Sequence, residues 1–186
     1  MSKIAIVYHS GYGHTKVIAE NIKQGIESNN ATCTMYSADQ FVDGKSPLFA
    51  ELEKMDGIIF GCPTYMGSAS AGLKTFMEAS SGEWFQQKWK DKFAAGFTVS
   101  GAYSGDKENT LVQIMTFAAQ HSMIWITQGI ASTGKTEDDL NRLGSYIGLM
   151  AQADNGSPEI TPPLGDKKTA EAFGKRIAEV VNKATK

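Results

Sequence analysis

Ile4-Ala5-Ile6-Val7-Tyr8-His9-Ser10-Gly11-Tyr12-Gly13-His14-Thr15 decides the fold. Its first residues run apolar without alternation, the mark of a strand buried on both faces of a parallel sheet. Ser10 to Gly13 end that strand. From His14 a helical period begins, with Ile18, Ile22 and Ile26 on one face and Glu20, Lys23 and Glu27 turned away from it. Strand, glycine turn and amphipathic helix make the first half of a crossover unit, since parallel strands can be joined only by a connection that crosses the sheet.

The pattern repeats along the chain. Ala31 to Tyr36, after the break at Asn29-Asn30, is rich in β-formers and reads as the second strand. A short helix is expected over Pro47 to Met55. Gly57 to Gly61 is the third strand, Cys62 to Ser68 a loop, and Leu73, Phe76 and Met77 mark the next helix. Phe93 to Val99 is the fourth strand and runs into the loop Ser100 to Gly105. Leu111, Ile114, Met115 and Ala118 then give another helical face, and Met123 to Ile126 is the fifth strand. Phe173, Ile177, Val180 and Ala184 stripe the last helix. Between Thr127 and Asp166 there is Gly and Pro punctuation but no sustained period, and so long a segment without regular structure is usually functional or mobile.

Five strands alternating with helices predict a doubly wound parallel sheet with right-handed crossovers. Ligands of such sheets bind beyond the carboxyl ends of the strands, where the winding reverses. The polar, glycine-bearing loops after strands one, three and four are therefore expected to converge on one site.

Composition narrows the function. The chain has 186 residues and no composition break, so one domain spanning 1–186 is expected. Lys plus Arg number 18 against 20 Asp plus Glu, and no basic run occurs, which argues against nucleic acid as a partner. No apolar run is long enough to span a bilayer, and the amino-terminal strand is too short for a signal segment, so no membrane partner is expected. Cys33 and Cys62 lack the spacing of a zinc site or a redox dithiol and read as reduced thiols of a cytoplasmic protein, with no metal.

Ser10 to Thr15 sit where a strand hands over to a helix, so backbone N–H groups and the helix dipole face one point, suited to a phosphate. Gly11 and Gly13 let the backbone approach an anion closely, and the hydroxyls of Ser10 and Thr15 add donors. A plain glycine turn capped by serine is the alternative for this loop taken alone. Two other phosphate motifs fail on residue type: Lys16 follows threonine rather than the glycine of a P-loop, and it occupies the place of a dinucleotide fingerprint's third glycine. A receiver domain would need an acid at the end of strand three, where Gly61-Cys62 stand.

At these residues the sequence resembles the flavodoxin superfamily and, within it, the tryptophan-repressor-binding-protein-like NAD(P)H:quinone oxidoreductases. Tyr8 to His14 is similar to that family's first loop, and Ile58 to Thr64 to its third strand and second loop. Lys74-Thr75-Phe76, Ser81-Gly82-Glu83-Trp84 and Ala119-Gln120-His121-Ser122-Met123 are further matches. The resemblance implies a flavodoxin-like three-layer α/β sandwich with a five-stranded parallel sheet in the order 2-1-3-4-5. It implies FMN as cofactor, NADH or NADPH as donor and a quinone as acceptor.

Carried over by position, the resemblance gives Ser10, Gly11, Tyr12, Gly13, His14 and Thr15 to the FMN phosphate, with Tyr12 also near the nicotinamide. Pro63, Thr64, Tyr65, Met66 and Gly67 fall on the loop against the flavin ring. Ser100, Gly101, Ala102, Tyr103, Ser104 and Gly105 fall along its other edge. His121 would contact the pyrimidine edge as the catalytic residue, and Trp84 would border the substrate. Plainer readings stand beside these: His121 as a helix cap, and Trp84 as an anchor on Phe85 and Trp89. Tyr65-Met66 replace the family's common Arg-Phe, and Ala102-Tyr103-Ser104 are poorer in glycine than its third loop. A homo-oligomer, dimer or tetramer, is the expected assembly. The alternative function is a flavodoxin-type electron carrier between proteins, against which the small net charge of −2 counts, because carriers usually present a strongly acidic face.

Overall fold

The computed structural model describes residues 1–185, and its strands form one seven-stranded sheet with helices on both faces. The elements run β1 (Ser2–Tyr8), α1 (His14–Glu27), β2 (Ala31–Ser37), α2 (Leu48–Glu53), β3 (Gly57–Tyr65), β4 (Ser68–Ala69), α3 (Ala71–Ala79) and α4 (Ser81–Phe85). They continue with β5 (Phe93–Ser100), α5 (Lys107–Gln120), β6 (Ile124–Trp125), β7 (Leu149–Gln152) and α6 (Leu164–Ala184). The central path is β2-β1-β3-β5, with β6 and β7 both pairing in parallel with β5 at the far edge. That is the doubly wound three-layer order expected from the sequence, the antiparallel arm β4 standing apart from it.

Alternation along β1 divides the core. Ile4 and Ile6 point into the layer covered by α1 and α6, whereas Ala5 and Val7 point toward α3 and α5. The buried residues of the first layer are aliphatic apart from Cys33, Phe97 and Phe173. The second is aromatic, with Phe41, Phe49, Phe60, Phe76 and Trp89 in mutual contact. In the first layer α1 and α6 approach backbone to backbone. A Cβ on Gly174 would collide with the carbonyl oxygen of Ile22, and one on Gly25 with that of Glu171.

Two expectations need correction. Cys62 to Ser68 is not a loop: β3 runs on to Tyr65 and turns through Met66-Gly67 into β4, with Tyr65 opposite Ser68. Positive φ at both turn residues, 49° and 76°, is the two-residue hairpin geometry whose twist matches the flanking strands. The fifth strand is also interrupted. β6 supplies only Ile124 and Trp125, opposite Phe93 and Ala94, and the chain leaves the sheet until β7 returns opposite Phe97 to Ser100. Leu149 to Gln152 carry no strand signal in the sequence, because four residues after Gly148 are too few for period 2 to stand out.

Candidate functional site

The carboxyl ends of β1, β3 and β5 open on a cleft of about 540 Å³ whose lining includes Tyr12, Thr15, Pro63, Tyr65, Ser100 and Asn155. Its floor is the amino terminus of α1. Gly13 sits there at φ 95°, a conformation that β-substituted residues adopt only under strain, and no side chain caps the helix. The Ser10 hydroxyl accepts from Lys16 N–H at 3.2 Å, while the backbone N–H groups from Gly11 to Thr15 find no acceptor among the described residues. Thr15 is buried beneath them. Unpaired donors at a helix start are costly unless water or an anion meets them, and the helix dipole favours the anion.

The second wall is the end of β3. The Thr64 hydroxyl is committed to Thr98 and Thr110, 2.8 Å from each, so this side chain is held in the core while Pro63, Thr64 and Tyr65 line the cleft. Tyr12 and Tyr65 meet edge to face, 6.4 Å between ring centroids. Ser100 and Gly101 supply the third wall.

Sequence reasoning missed the fourth wall, Ala153 to Gly156, which follows β7. His14 Nε2 lies 2.8 Å from the Gly156 carbonyl, and Pro158 packs over Gly13. The signal was present: Asp154-Asn155-Gly156-Ser157-Pro158 is a polar turn at a strand's carboxyl end like the other three. It could be placed only once β7 was known.

The expected residues do not all come together. Tyr12, His14, Thr15, Pro63, Thr64, Tyr65, Ser100 and Gly101 line the cleft, and Ser10, Gly11 and Gly13 belong to the same phosphate loop. Met66 and Gly67 form the hairpin tip beyond it, tied to α5 by a hydrogen bond from Asn109 to the Gly67 carbonyl. Ala102 to Gly105 lie outside the lining. Tyr103 and Ser104 face a separate hollow behind the third loop, together with Arg142.

His121 is a correction. It follows α5, which starts beyond the carboxyl end of β5 and returns to the sheet's amino edge over about 20 Å. There Ser122, its neighbour, accepts from Asp91 just before β5 begins. His121 therefore stands at the opposite end of the sheet from the cleft and does not reach it within the chain. Its ring is buried on Trp89, 4.3 Å between centroids, with Nε2 3.0 Å from Ser80 Oγ. Trp84 is likewise not at the cleft. Both line an apolar groove between α3 and α5 with Met77, Val112 and Phe117.

Burial pushes His121 down from its ordinary value of 6.5 to about 4. The folded chain thus refuses a proton that the unfolded chain accepts below about 6.5, so this contribution to stability is complete above 6.5 and is lost as pH falls toward 4. Denaturant midpoints should drop between pH 7 and pH 5, and His121→Phe should shrink that drop. An equal drop in both proteins would rule His121 out as its source. Both thiols are raised by burial, Cys62 to about 11 and Cys33 to about 12, so neither is a nucleophile near neutrality. Among the described residues no group of three or more His, Cys, Asp or Glu could hold a metal, and no helix is long and apolar enough to cross a membrane.

Residues 13–138 match the model of a family described as NADPH-dependent FMN reductase. A flavodoxin of Pseudomonas aeruginosa, FldP, is 34% identical over 97% of both chains. An NAD(P)H dehydrogenase (quinone) of Acidovorax ebreus is 27% identical over 98% of both. Among solved structures, the flavodoxin, WrbA-like protein of Agrobacterium tumefaciens superposes with a TM-score of 0.77 at 38% identity, covering 98% of this chain and 99% of that one.

Proposed function

We propose, from the premise that this chain belongs to the NADPH-dependent FMN reductase family and to the WrbA-like branch of the flavodoxin superfamily, that it passes two electrons from NADH or NADPH to a quinone with FMN as cofactor. The observation that carries the reading is the uncapped start of α1, with its free N–H groups, at the floor of a cleft bordered by aromatic rings. Bound there, the flavin would supply hydride acceptance and two-electron donation, which no side chain of the protein can provide.

The chain's own residues bind and orient. Ser10 to Thr15 hold the phosphate through backbone donors and the Thr15 hydroxyl, and the helix terminus supplies positive potential at that loop. Pro63 to Tyr65 and Ser100-Gly101 hold the ring between them. Tyr12, exposed at the rim and in contact with Tyr65, offers an apolar edge against which a flat nicotinamide or quinone can rest.

Thr15→Ala is expected to weaken FMN binding by about 1–2 kcal/mol, the worth of one hydrogen bond to a charged phosphate, and to leave riboflavin binding nearly unchanged. A parallel loss for riboflavin would move Thr15 away from the phosphate. Turnover with nicotinamide and benzoquinone should be ping-pong, since two flat reactants must use one open mouth by turns. Parallel double-reciprocal plots at several quinone concentrations are the expected result, and intersecting plots would remove the shared-mouth argument.

The FldP identity favours a second reading, a carrier that exchanges electrons with protein partners. Anaerobic mixing with each nicotinamide separates the two. Bleaching of flavin absorbance within the turnover time supports the enzyme, whereas no bleaching by either nicotinamide supports the carrier.

A further inference from the structure

Lys107 opens α5 directly behind the third loop and is fully buried. Its ammonium donates to Ser100 Oγ at 2.7 Å, to the Ala102 carbonyl at 2.7 Å and to the Tyr103 carbonyl at 2.8 Å. Each acceptor is neutral, and all three belong to the third loop, of which Ser100 and Gly101 line the cleft. With those carbonyls drawn inward, the N–H groups from Ala102 to Gly105 find no acceptor among the described residues.

We infer that Lys107 is a positioning residue of the cofactor site, holding the third loop with its carbonyls inward and its N–H groups free while lending the cleft a positive charge. The inference rests on the FMN reading above. Asp166 is the one buried carboxylate nearby, but Arg142 holds it at 2.8 and 3.1 Å and the Gln152 N–H at 2.8 Å. Tyr103 lies 5.6 Å from the Arg142 guanidinium, and Asp106 and Glu108, beside Lys107 on its own turn, are exposed to solvent. Two buried cations thus share one buried anion. Burial lowers Lys107 to about 8, with Asp166 raising it and Arg142 lowering it further.

Ser100, which accepts from Lys107, also lines the cleft, so one side chain separates the ammonium from an anionic cofactor bound there. An anionic ligand there favours the ammonium, so it raises Lys107's pKa on binding. Affinity is then complete below about 8 and declines above it as the free protein loses the proton.

The test titrates FMN into apoprotein at pH 7 and pH 9, with backbone amide order parameters of Ala102 to Gly105 measured in the unliganded chain. Wild-type affinity should fall by up to about tenfold between the two pH values, the limit for one group titrating near 8. Lys107→Met should bind weakly at both, with no pH step, and its loop order parameters should drop from roughly 0.85 to below about 0.6. Wild-type affinity and an intact pH step in Lys107→Met would overturn the inference. Should that variant not fold, a flat wild-type profile overturns it and a step supports it. Failure of the wild-type chain to take up FMN at all is instead a failure of the cofactor reading. The order parameters then decide whether Lys107 shapes the loop.

Discussion

Gly174→Ala is expected to cost about 3 kcal/mol of stability and lower Tm by roughly 6–12 °C, at the upper end of overpacking effects. The reason is the α1–α6 contact, where the new methyl meets the Ile22 carbonyl rather than the end of a flexible side chain. Two helix backbones must part, and the burial of Ile22, Ile26, Phe173 and Ile177 between them loosens with the separation. The loss must also outweigh the gain in helix propensity on replacing glycine by alanine, about 1 kcal/mol. Gly82→Ala in α4 is the control, because its Cβ would enter open space and only the propensity gain remains. Chemical denaturation of both variants checks the argument. A Gly174→Ala midpoint at or above that of the unaltered protein would mean that the helices slide apart at no cost.

Gly13→Val should weaken FMN by about 100-fold, or about 2.7 kcal/mol, while riboflavin loses far less. Two effects act on the same atoms. A φ of 95° is strained for a branched residue, and a Cβ would stand 2.7 Å from Pro158 Cγ. Relief requires the turn to rotate, which swings the free N–H groups of Gly11 to Thr15 out of convergence. The ratio of FMN to riboflavin affinity, by fluorescence quenching of each flavin, isolates the phosphate contribution. A ratio equal to the unaltered protein's would falsify the assignment of this loop to the phosphate.

The legibility of the chain followed local physics. β1, the glycine turn and α1 could be read because a buried strand and an amphipathic helix each imprint a period on adjacent residues. The loops after β1, β3 and β5 could be placed because the sheet's topology gathers them. What escaped depends on partners distant in sequence. β7 is a strand only because the β5 residues Phe97 to Ser100 wait for it, and the Ala153–Gly156 wall follows from β7. His121 is the same case: its place in a motif is legible, but the return of α5 that carries it to the far edge of the sheet exists only in the packed fold. Lys107 carries no local signal, since nothing in the neighbouring residues says that three loop oxygens surround it.

The interrupted edge bears on the solution behaviour of the protein at high concentration. An uncovered outer strand the length of β5 would offer a long row of free amide and carbonyl groups, a template on which another chain can add itself. Here that border is split into pieces of two and four residues, separated by the excursion from Ile126 to Gly148. Neither piece is long enough to seed a stable intermolecular ladder. A chain in which two residues, enough to lie opposite Ala95 and Gly96, join Trp125 to Leu149 would lack the excursion and carry a continuous border strand, and it should self-associate into β-rich aggregates at lower protein concentration than the natural chain.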